Sequence, residues 1–373
     1  MIKTPILAVE ATRLCTQYRD SGVALYIKHI LRGLSARQGT KAVCFGKEIA
    51  QECVKELPIG MEIYLSKDGA FVWRNTALEY LQKKWGCSSA WFPFQIVPWL
   101  PCMPFVATIH DFGFLRLGGK GMSLLSCLYL SASLGNTLLR SKTILSVSDA
   151  TTRGVVKRFP WVAQKIITAR HGLPDEVREL SEKMDFSFSE KPKHCIRCVF
   201  LAGDNGRKRF DLALMACERL RETAQVELVV TGSEEKIKAR AREVLGFVPP
   251  FLRCVGRLSR PQLLELYQTS HLLLYLSYFE GFGFPILEAL ALGAQVICLS
   301  GAAEQEVGGE FVSYADPATP EKVEEQIREV LRRCQNPKAL RAGVSHARSF
   351  TWDSSLQAHA KAFQMNRDLG SGG

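Results

Sequence analysis

Two glutamates on either side of a glycine turn are the residues of this sequence whose spacing most clearly suggests chemistry. Glu280 and Glu288 lie eight residues apart, around the stretch GFGFP, in a chain whose formal net charge is +11. Gly281 and Gly283 allow a tight turn close to a ligand, and Pro285 favours a helix whose first N–H groups can bind phosphate. Carboxylates accept hydrogen bonds from hydroxyl groups and repel phosphate. The pattern therefore predicts a phosphate flanked by hydroxyl-bearing groups, as in a nucleotide sugar.

Other phosphate and metal motifs are absent from the sequence. The same glycine turn also occurs in ordinary strand–turn–helix units, and neither a full G-x-G-x-x-G nor a G-x-x-x-x-G-K-[ST] is present. The chain has 12 cysteines, which we expect to be buried free thiols. The closest pair, Cys195 and Cys198, lacks a second pair or histidines at metal spacing, so no zinc site is predicted. No D-x-D occurs, so no acidic pair for a divalent cation is predicted either.

Apolar strand-like runs alternate with helical patterns along the chain, for example PFVATIH, RCVFLAG and VELVVTG. Short apolar strands separated by helices predict parallel sheets with helices on both faces. Ligands bind outside the carboxyl ends of such strands, so the residues at those ends are further candidates. They are Gly22, His110, Gly203, Arg207 and Lys208. His110 could equally be a core histidine, and the run GRKR could be a solvated group of charges.

The strand and helix patterns form two units, so the predicted fold class is α/β with two doubly wound, Rossmann-like parallel-sheet domains. The polar stretch 175–195 has little strand character and marks the join. We expect an N-terminal domain over 1–190 and a C-terminal domain over 191–351. Residues 352–369 predict an amphipathic helix that packs back onto the N-terminal domain.

The motif order along the whole chain resembles that of a known family. The stretch 280–288 resembles the E-x7-E signature of glycosyltransferase family 4, a retaining family with the GT-B fold. DSGVALYIKHILRGL resembles the N-terminal glycine loop and first helix of that family, and TIHDFGFLR resembles its T-x-H-D strand end. ILSVSDATTRGVVKRF, FLAGDNGRKRFDLAL and FVSYADPATPEKVEEQI resemble later landmarks in the same order. The resemblance implies two domains that face each other across a cleft, with the acceptor bound by the N-terminal domain and the nucleotide sugar by the C-terminal one.

The resemblance also implies roles for the residues around the glycine turn. Glu288 would bind the ribose of the nucleotide, and Glu280 would bind a hydroxyl group of the donor hexose. The backbone of Phe282, Gly283 and Phe284 would line the sugar and the diphosphate. These five residues would therefore form one wall of a donor site.

The candidates at the other strand ends receive roles in the same way. Arg207 and Lys208 would neutralise the diphosphate leaving group, whose developing charge must be stabilised. Gly203, at the preceding strand end, belongs to the same expected donor site. Gly22 would give the diphosphate and the acceptor close access to the N-terminal domain, and His110 would contact the donor sugar near the reacting carbon.

The implied activity is transfer of a hexose from a nucleotide sugar to a glycan or a lipid-linked saccharide, with retention of configuration and without a metal ion. The resemblance extends to bacterial polysaccharide and lipopolysaccharide mannosyltransferases, which makes GDP-mannose the first expected donor and UDP-hexoses the second. Two alternatives stay open from the residues alone. One is a sugar-nucleotide epimerase of the same architecture, and the other is a nucleotide-sugar-binding protein without activity.

Charge and hydropathy limit the partners. Most of the excess positive charge lies in the N-terminal half, which favours phosphate-bearing substrates or anionic lipid. No cluster of arginines and aromatic residues typical of a nucleic-acid module occurs. Residues 120–142 are apolar and bracketed by Lys120, Arg140 and Lys142, which predicts either a buried helix or a surface that contacts an anionic membrane. With no span of about 18 apolar residues and no signal peptide, we expect a cytoplasmic protein, either free or at the inner face of the membrane.

Overall fold

The computed structural model describes residues 6–38, 41–58, 60–68, 72–116, 123–184, 191–192, 194–201, 206–334 and 337–368. By its contacts the chain divides into two compact units. The first comprises Met1–Gly172 and Thr351–Gly373, and the second comprises Leu173–Phe350.

Fifteen α-helices lie within the described ranges. In chain order they are α1 (Gly22–Gln38), α2 (Gln51–Glu56), α3 (Trp73–Trp85), α4 (Gly113–Arg116), α5 (Leu124–Arg140), α6 (Asp149–Arg158), α7 (Asp175–Lys183), α8 (Phe210–Leu220), α9 (Glu234–Leu245), α10 (Arg260–Gln268), α11 (Phe284–Ala291), α12 (Ala302–Gly308), α13 (Pro320–Cys334), α14 (Pro337–Ser349) and α15 (Asp353–Asp368). Short 3-10 turns occur at Thr12–Leu14, Pro160–Val162, Gly206–Lys208 and Gly309–Phe311.

Seven parallel strands form the sheet in the described part of the first unit. They are β1 (Ile6–Glu10), β2 (Lys41–Gly46), β3 (Glu62–Leu65), β4 (Cys87–Phe92), β5 (Phe105–Ile109), β6 (Thr143–Ser146) and β7 (Ile166–Thr168), in the order β3-β2-β1-β4-β5-β6-β7. All five residues of β5 are buried, as expected for a strand covered by helices on both faces. The strand order reverses between β1 and β4, which is where ligands bind in such sheets.

The second unit contains a six-stranded parallel sheet within the described ranges. Its strands are β8 (Ile196–Leu201), β9 (Val226–Thr231), β10 (Leu252–Cys254), β11 (Leu272–Tyr275), β12 (Gln295–Cys298) and β13 (Ser313–Tyr314), in the order β10-β9-β8-β11-β12-β13. The order reverses between β8 and β11, and the core packs around these strands and α8. The predicted doubly wound, Rossmann-like fold is confirmed for both units.

The domain limits of 1–190 and 191–351 stay a prediction, but the segment near the expected join has a definite place. The backbone N–H of Leu173 donates to the carbonyl of Phe350, 2.8 Å away, and Val177 of α7 is buried. Helix α7 packs against α11 and so belongs to the second unit. The polar composition of α7 reflects its solvent-facing side.

Helix α15 packs against β4, β5, β6 and β7 of the first unit. Its His359 is fully buried, and the hydroxyl of Tyr26 lies 2.6 Å from Nε2 of this ring. The same Tyr26 hydroxyl lies 3.0 Å from the hydroxyl of Thr108 on β5. A polar chain inside the core therefore joins the C-terminal helix to α1 and to the central strands.

No helix within the described part of the chain is both long enough and apolar enough to cross a bilayer. The described residues likewise contain no cluster of histidine, cysteine, aspartate or glutamate that could hold a metal ion. The 11 cysteines whose side chains the structure describes are free thiols, and Cys198 of the CIRC sequence lies fully buried on β8.

Candidate functional site

The loops that follow β8 and β11 meet where the strand order of the second unit reverses. The backbone N–H of Tyr278 donates to the carbonyl of Arg207, 3.0 Å away, so the two loops are hydrogen-bonded to each other. The guanidinium of Arg209 lies over the ring of Tyr278, 4.7 Å from its centroid. These contacts position the charged residues of both loops on the same side of the sheet.

Three of the predicted site residues come together at this point. A guanidinium nitrogen of Arg207 lies 3.6 Å from a carboxylate oxygen of Glu280, and both side chains are largely buried. The ammonium group of Lys208 donates to the carbonyl of Leu201 at the end of β8, 3.0 Å away. Burial lowers the pKa of Lys208 and Arg207 lowers it further, whereas Glu280 acts in the opposite direction. The site thus combines two cations with one carboxylate at the carboxyl ends of neighbouring strands.

The glycine turn has a conformation that its sequence requires. Gly283 caps the start of α11 with φ +114°, and a Cβ at this position would lie 3.0 Å from Cδ1 of Ile286. Pro285 lies in the first turn of the helix, where its missing N–H costs nothing. The rings of Phe282 and Phe284 are buried, with their centroids 5.4 Å apart. Their burial leaves the backbone of the turn, rather than the rings, to meet a ligand.

Glu288 lies one turn inside α11 and has a partner that the sequence analysis missed. It is 2% exposed, and its carboxylate lies 2.8 Å from a guanidinium nitrogen of Arg260. The same guanidinium lies 3.0 Å from a carboxylate oxygen of Glu176 on α7. Burial alone would lower the pKa of Arg260, but the two glutamates outweigh burial and raise it. The ion pair fixes the orientation of the Glu288 carboxylate.

Glu304 is an acidic residue near the site that the sequence analysis missed. It lies in the first turn of α12 and is 1% exposed. Burial, which is the largest effect, and the charge of Glu280 together raise its pKa to about 8, although Arg207 acts in the opposite direction. Glu304 follows β12, which pairs with β11, the strand that Glu280 follows, so both acids lie at the same edge of the sheet. Its sequence context, AAEQEV, carries no signal that separates it from an exposed helix acid.

His110 follows β5 in the first unit and is half-buried. Its Nε2 lies 2.8 Å from the carbonyl of Pro93, which can only accept, so Nε2 carries the proton and Nδ1 remains an acceptor. Burial lowers the pKa of His110 to about 4, so the imidazole is neutral at neutral pH. Its ring centroid lies 5.2 Å from that of Tyr26 and 6.1 Å from that of Phe94.

The two remaining candidates are the glycines Gly22 and Gly203. Gly22 begins α1, and the preceding Ser21 hydroxyl accepts from the N–H of Ala24, 3.2 Å away. Gly203 lies outside the described residues. Gly22 and His110 belong to the first unit, whereas the other described site residues belong to the second.

The chain is similar in sequence to known proteins. Residues 182–343, which form most of the second unit, match the family model of glycosyl transferases group 1. The chain is 24% identical over 258 residues to the O-antigen chain mannosyltransferase B of Escherichia coli, an alignment that covers 64% of this chain and 64% of that protein.

Solved structures resemble the chain over nearly its full length. A glycosyltransferase from Rickettsia africae superimposes with a TM-score of 0.70 at 14% identity, covering 100% of both chains. HepE of Anabaena, solved in complex with UDP and glucose, superimposes with a TM-score of 0.68 at 14% identity, covering 97% of this chain and 99% of that one. The fold is therefore that of the GT-B glycosyltransferases, as the sequence predicted.

Proposed function

We propose that the chain is a glycosyltransferase that transfers a hexose from a nucleotide sugar to a glycan or lipid-linked acceptor in bacterial surface polysaccharide synthesis. The observation that carries the proposal is the meeting of Arg207, Lys208 and Glu280 beside the glycine-capped start of α11. The match of this unit to glycosyl transferases group 1 supports it.

The proposed chemistry follows from the charges of the site. Arg207, Lys208 and the N–H groups at the start of α11 stabilise the diphosphate as it leaves with the bonding electrons of the anomeric carbon. Glu280 holds a hydroxyl group of the hexose, and Glu288 holds the ribose. Two cationic side chains supply the positive charge that a divalent ion supplies in other glycosyltransferases, so we expect activity to survive a chelator.

The stereochemistry and the donor belong to the same proposal. We expect retention of the anomeric configuration, with the acceptor attacking from the face that the diphosphate leaves. GDP-mannose is the first donor to test, because the relative in Escherichia coli is an O-antigen chain mannosyltransferase. UDP-hexoses are the second, because HepE was solved with UDP and glucose.

A panel of nucleotide sugars tests the activity. Each donor is incubated with the protein and lipid-linked or oligosaccharide acceptors, and free nucleoside diphosphate and glycan products are measured. A transferase releases diphosphate in proportion to glycan formed. An epimerase converts one hexose into another without a glycan product, and a binding protein shows affinity without turnover. Either of these results would contradict the proposal.

A peripheral membrane contact is the second part of the proposal. Leu124, Leu125 and Leu128 in the first turns of α5 are 58–79% exposed, whereas Leu134 and Leu138 further along are buried. The exposed leucines at the start of the helix, together with the 71% exposed Leu139 near its end, support the proposed contact.

Basic and apolar residues near the other end of α5 extend this surface. Arg140 and Lys142 are exposed, and Lys120 lies outside the described residues. The amide of Asn136 donates to the carbonyl of Pro98, 3.2 Å away, which holds the loop of the 72% exposed Leu100 against the helix. Apolar side chains with flanking cations suit the boundary of an anionic bilayer, where a lipid-linked acceptor would be found.

A further inference from the structure

Glu304 is a buried acid whose surroundings within the protein leave one oxygen unused. Its side chain folds over Gly301, where a Cβ would lie only 2.0 Å from Oε2. Among the described residues, none forms a hydrogen bond to Oε1, although the residue is 1% exposed. A buried polar oxygen without a partner costs free energy. Such an oxygen beside a ligand site points to a partner that the ligand supplies.

The groups around Glu304 determine which form of the acid is present. The titratable side chains that interact with it come from four elements, and they are Glu280, Arg207, Tyr275, Cys298 and Tyr314. Burial is the largest effect and raises the pKa of Glu304 to about 8. A hydrogen bond from its own backbone N–H and the charge of Arg207 lower the pKa, whereas Glu280 raises it. At neutral pH the side chain is therefore mostly protonated and can donate a hydrogen bond.

We propose that Glu304 is a specificity-determining residue of the donor site, which donates a hydrogen bond to a hydroxyl oxygen of the donor hexose while Glu280 accepts one from a hydroxyl group. This inference rests on the proposed function. A sugar hydroxyl both donates and accepts, whereas a carboxylate only accepts. One neutral acid and one carboxylate therefore recognise both properties of a hydroxyl group, and neutrality avoids adding a second negative charge beside the diphosphate.

The hexose rather than the diphosphate is assigned to Glu304 because of its neighbours. Glu304 and Glu280 follow the carboxyl ends of the neighbouring strands β12 and β11, and Glu280 is the residue placed on the hexose. The cations Arg207 and Lys208, placed on the diphosphate, both interact with Glu280. The assignment predicts that Glu304 affects binding of the intact nucleotide sugar and not of the nucleoside diphosphate.

Calorimetric binding to the full chain tests this with GDP-mannose, UDP-glucose, GDP and UDP between pH 6.5 and 9. For the wild type, affinity for the nucleotide sugar should fall about tenfold between pH 7 and 9, because an acid with a pKa of about 8 is mostly ionised by pH 9. E304A should weaken nucleotide-sugar binding at pH 7 by at least about tenfold. E304Q keeps a donor of the same shape and should lose the pH dependence. Glu310→Gln, an exposed acid a few residues along, is the matched control.

The outcomes separate the two proposals. Identical pH profiles for wild type and E304Q would overturn the role of Glu304, even if E304A failed to fold. If E304A lost affinity for GDP or UDP to the same extent as for the nucleotide sugars, the assignment to the hexose would be overturned. If the wild type bound neither diphosphates nor nucleotide sugars, the proposed function itself would fail, and the inference with it.

Discussion

Arg207, Lys208 and Glu280 form a group in which the positive charges outnumber the negative one. The separation of 3.6 Å between Arg207 and Glu280 exceeds the usual length of a charge-assisted hydrogen bond, about 2.7–2.9 Å. A loose pair of this kind can be rearranged by a ligand that offers a phosphate to the guanidinium and a hydroxyl to the carboxylate. The group can therefore bind a substrate that carries both a phosphate and a hydroxyl.

Replacing either end of this group should remove activity without unfolding the protein. We expect Glu280→Ala and Lys208→Ala each to lower the rate of transfer by about 100-fold or more, since one electrostatic contact to a transition state contributes on the order of 3 kcal/mol. Lys236→Ala, which removes an exposed lysine of α9, is the control. Initial rates and thermal melting are measured on the same preparations. Loss of the folded state in both site variants would mean that these residues are structural.

Gly283 should not tolerate a side chain. A φ of +114° is unfavourable for other residues, and a Cβ would also press against Ile286. We expect Gly283→Ala to destabilise the second unit by about 1–2 kcal/mol or more and to weaken binding of nucleoside diphosphate. Gly135→Ala on α5 is the matched control, because a Cβ there meets nothing within 4 Å. Urea unfolding followed by circular dichroism measures the free energy of unfolding of both variants. Equal values for the two variants would contradict the expectation.

At the scale of elements, buried histidines join α15 to the sheet of the first unit. The ring of His171 lies 4.6 Å from that of Tyr26 on α1, centroid to centroid, and 5.8 Å from that of His110. His359 of α15 lies 5.3 Å from Trp91 on β4. Packing of this kind depends on neutral imidazoles, because burial disfavours their charged form.

The stability of the first unit should therefore depend on pH. Burial lowers the pKa of His110 and His359 to about 4 and also lowers that of His171. A histidine in the unfolded chain has a pKa of about 6.5, so below that pH the unfolded state binds more protons than the folded state. The contribution of these histidines to the free energy of unfolding is therefore complete above about pH 6.5. It is lost as the pH falls towards 4, by up to about 3 kcal/mol for each fully shifted histidine.

Tryptophan fluorescence can follow this unit alone. All 6 tryptophans of the chain, at positions 73, 85, 91, 99, 161 and 352, lie in the first unit. The urea midpoint of unfolding should decrease as the pH is lowered from 7.5 to 5. The midpoint of His359→Gln should decrease less than that of the wild type. A midpoint that stays constant over this range would show that the histidines gain no charge on unfolding.

At the scale of the whole molecule, the net charge of +11 and the exposed start of α5 favour association with anionic surfaces. Long-range attraction concentrates the protein near such a surface, and exposed leucines can then enter the interface. Attraction of this kind weakens as salt screens it. Burial of apolar side chains is affected much less by salt.

The protein should float with vesicles that contain anionic lipid. Replacing Leu124, Leu125 and Leu128 together by serine should lower the bound fraction by about tenfold or more, because each buried leucine contributes about 1.5–3 kcal/mol. Leu65→Ser, an exposed leucine at the end of β3, is the control for a changed surface hydropathy. Absence of binding at low salt, or equal binding by all variants, would exclude this membrane contact.

Local patterns were sufficient to predict the fold and the glycine turn. The apolar runs of β5 and β11 read as buried parallel strands because both of their faces are covered, which shows directly in composition. Gly283 and Pro285 indicate a helix start because their backbone preferences are local. By contrast, the polar composition of 175–195 predicts a join between domains, although α7 packs within the second unit.

The sequence by itself determined two doubly wound sheets and the strand ends at which charged residues lie, because hydrophobic periodicity and turn chemistry act over a few neighbours. Only the tertiary structure decided which of those residues interact. The pairing of Glu288 with Arg260, the burial of Glu304 beside Glu280 and the neutral state of His110 depend on groups that are far apart in the chain. Ion pairing and desolvation act through space, so spacing along the sequence carries no record of them.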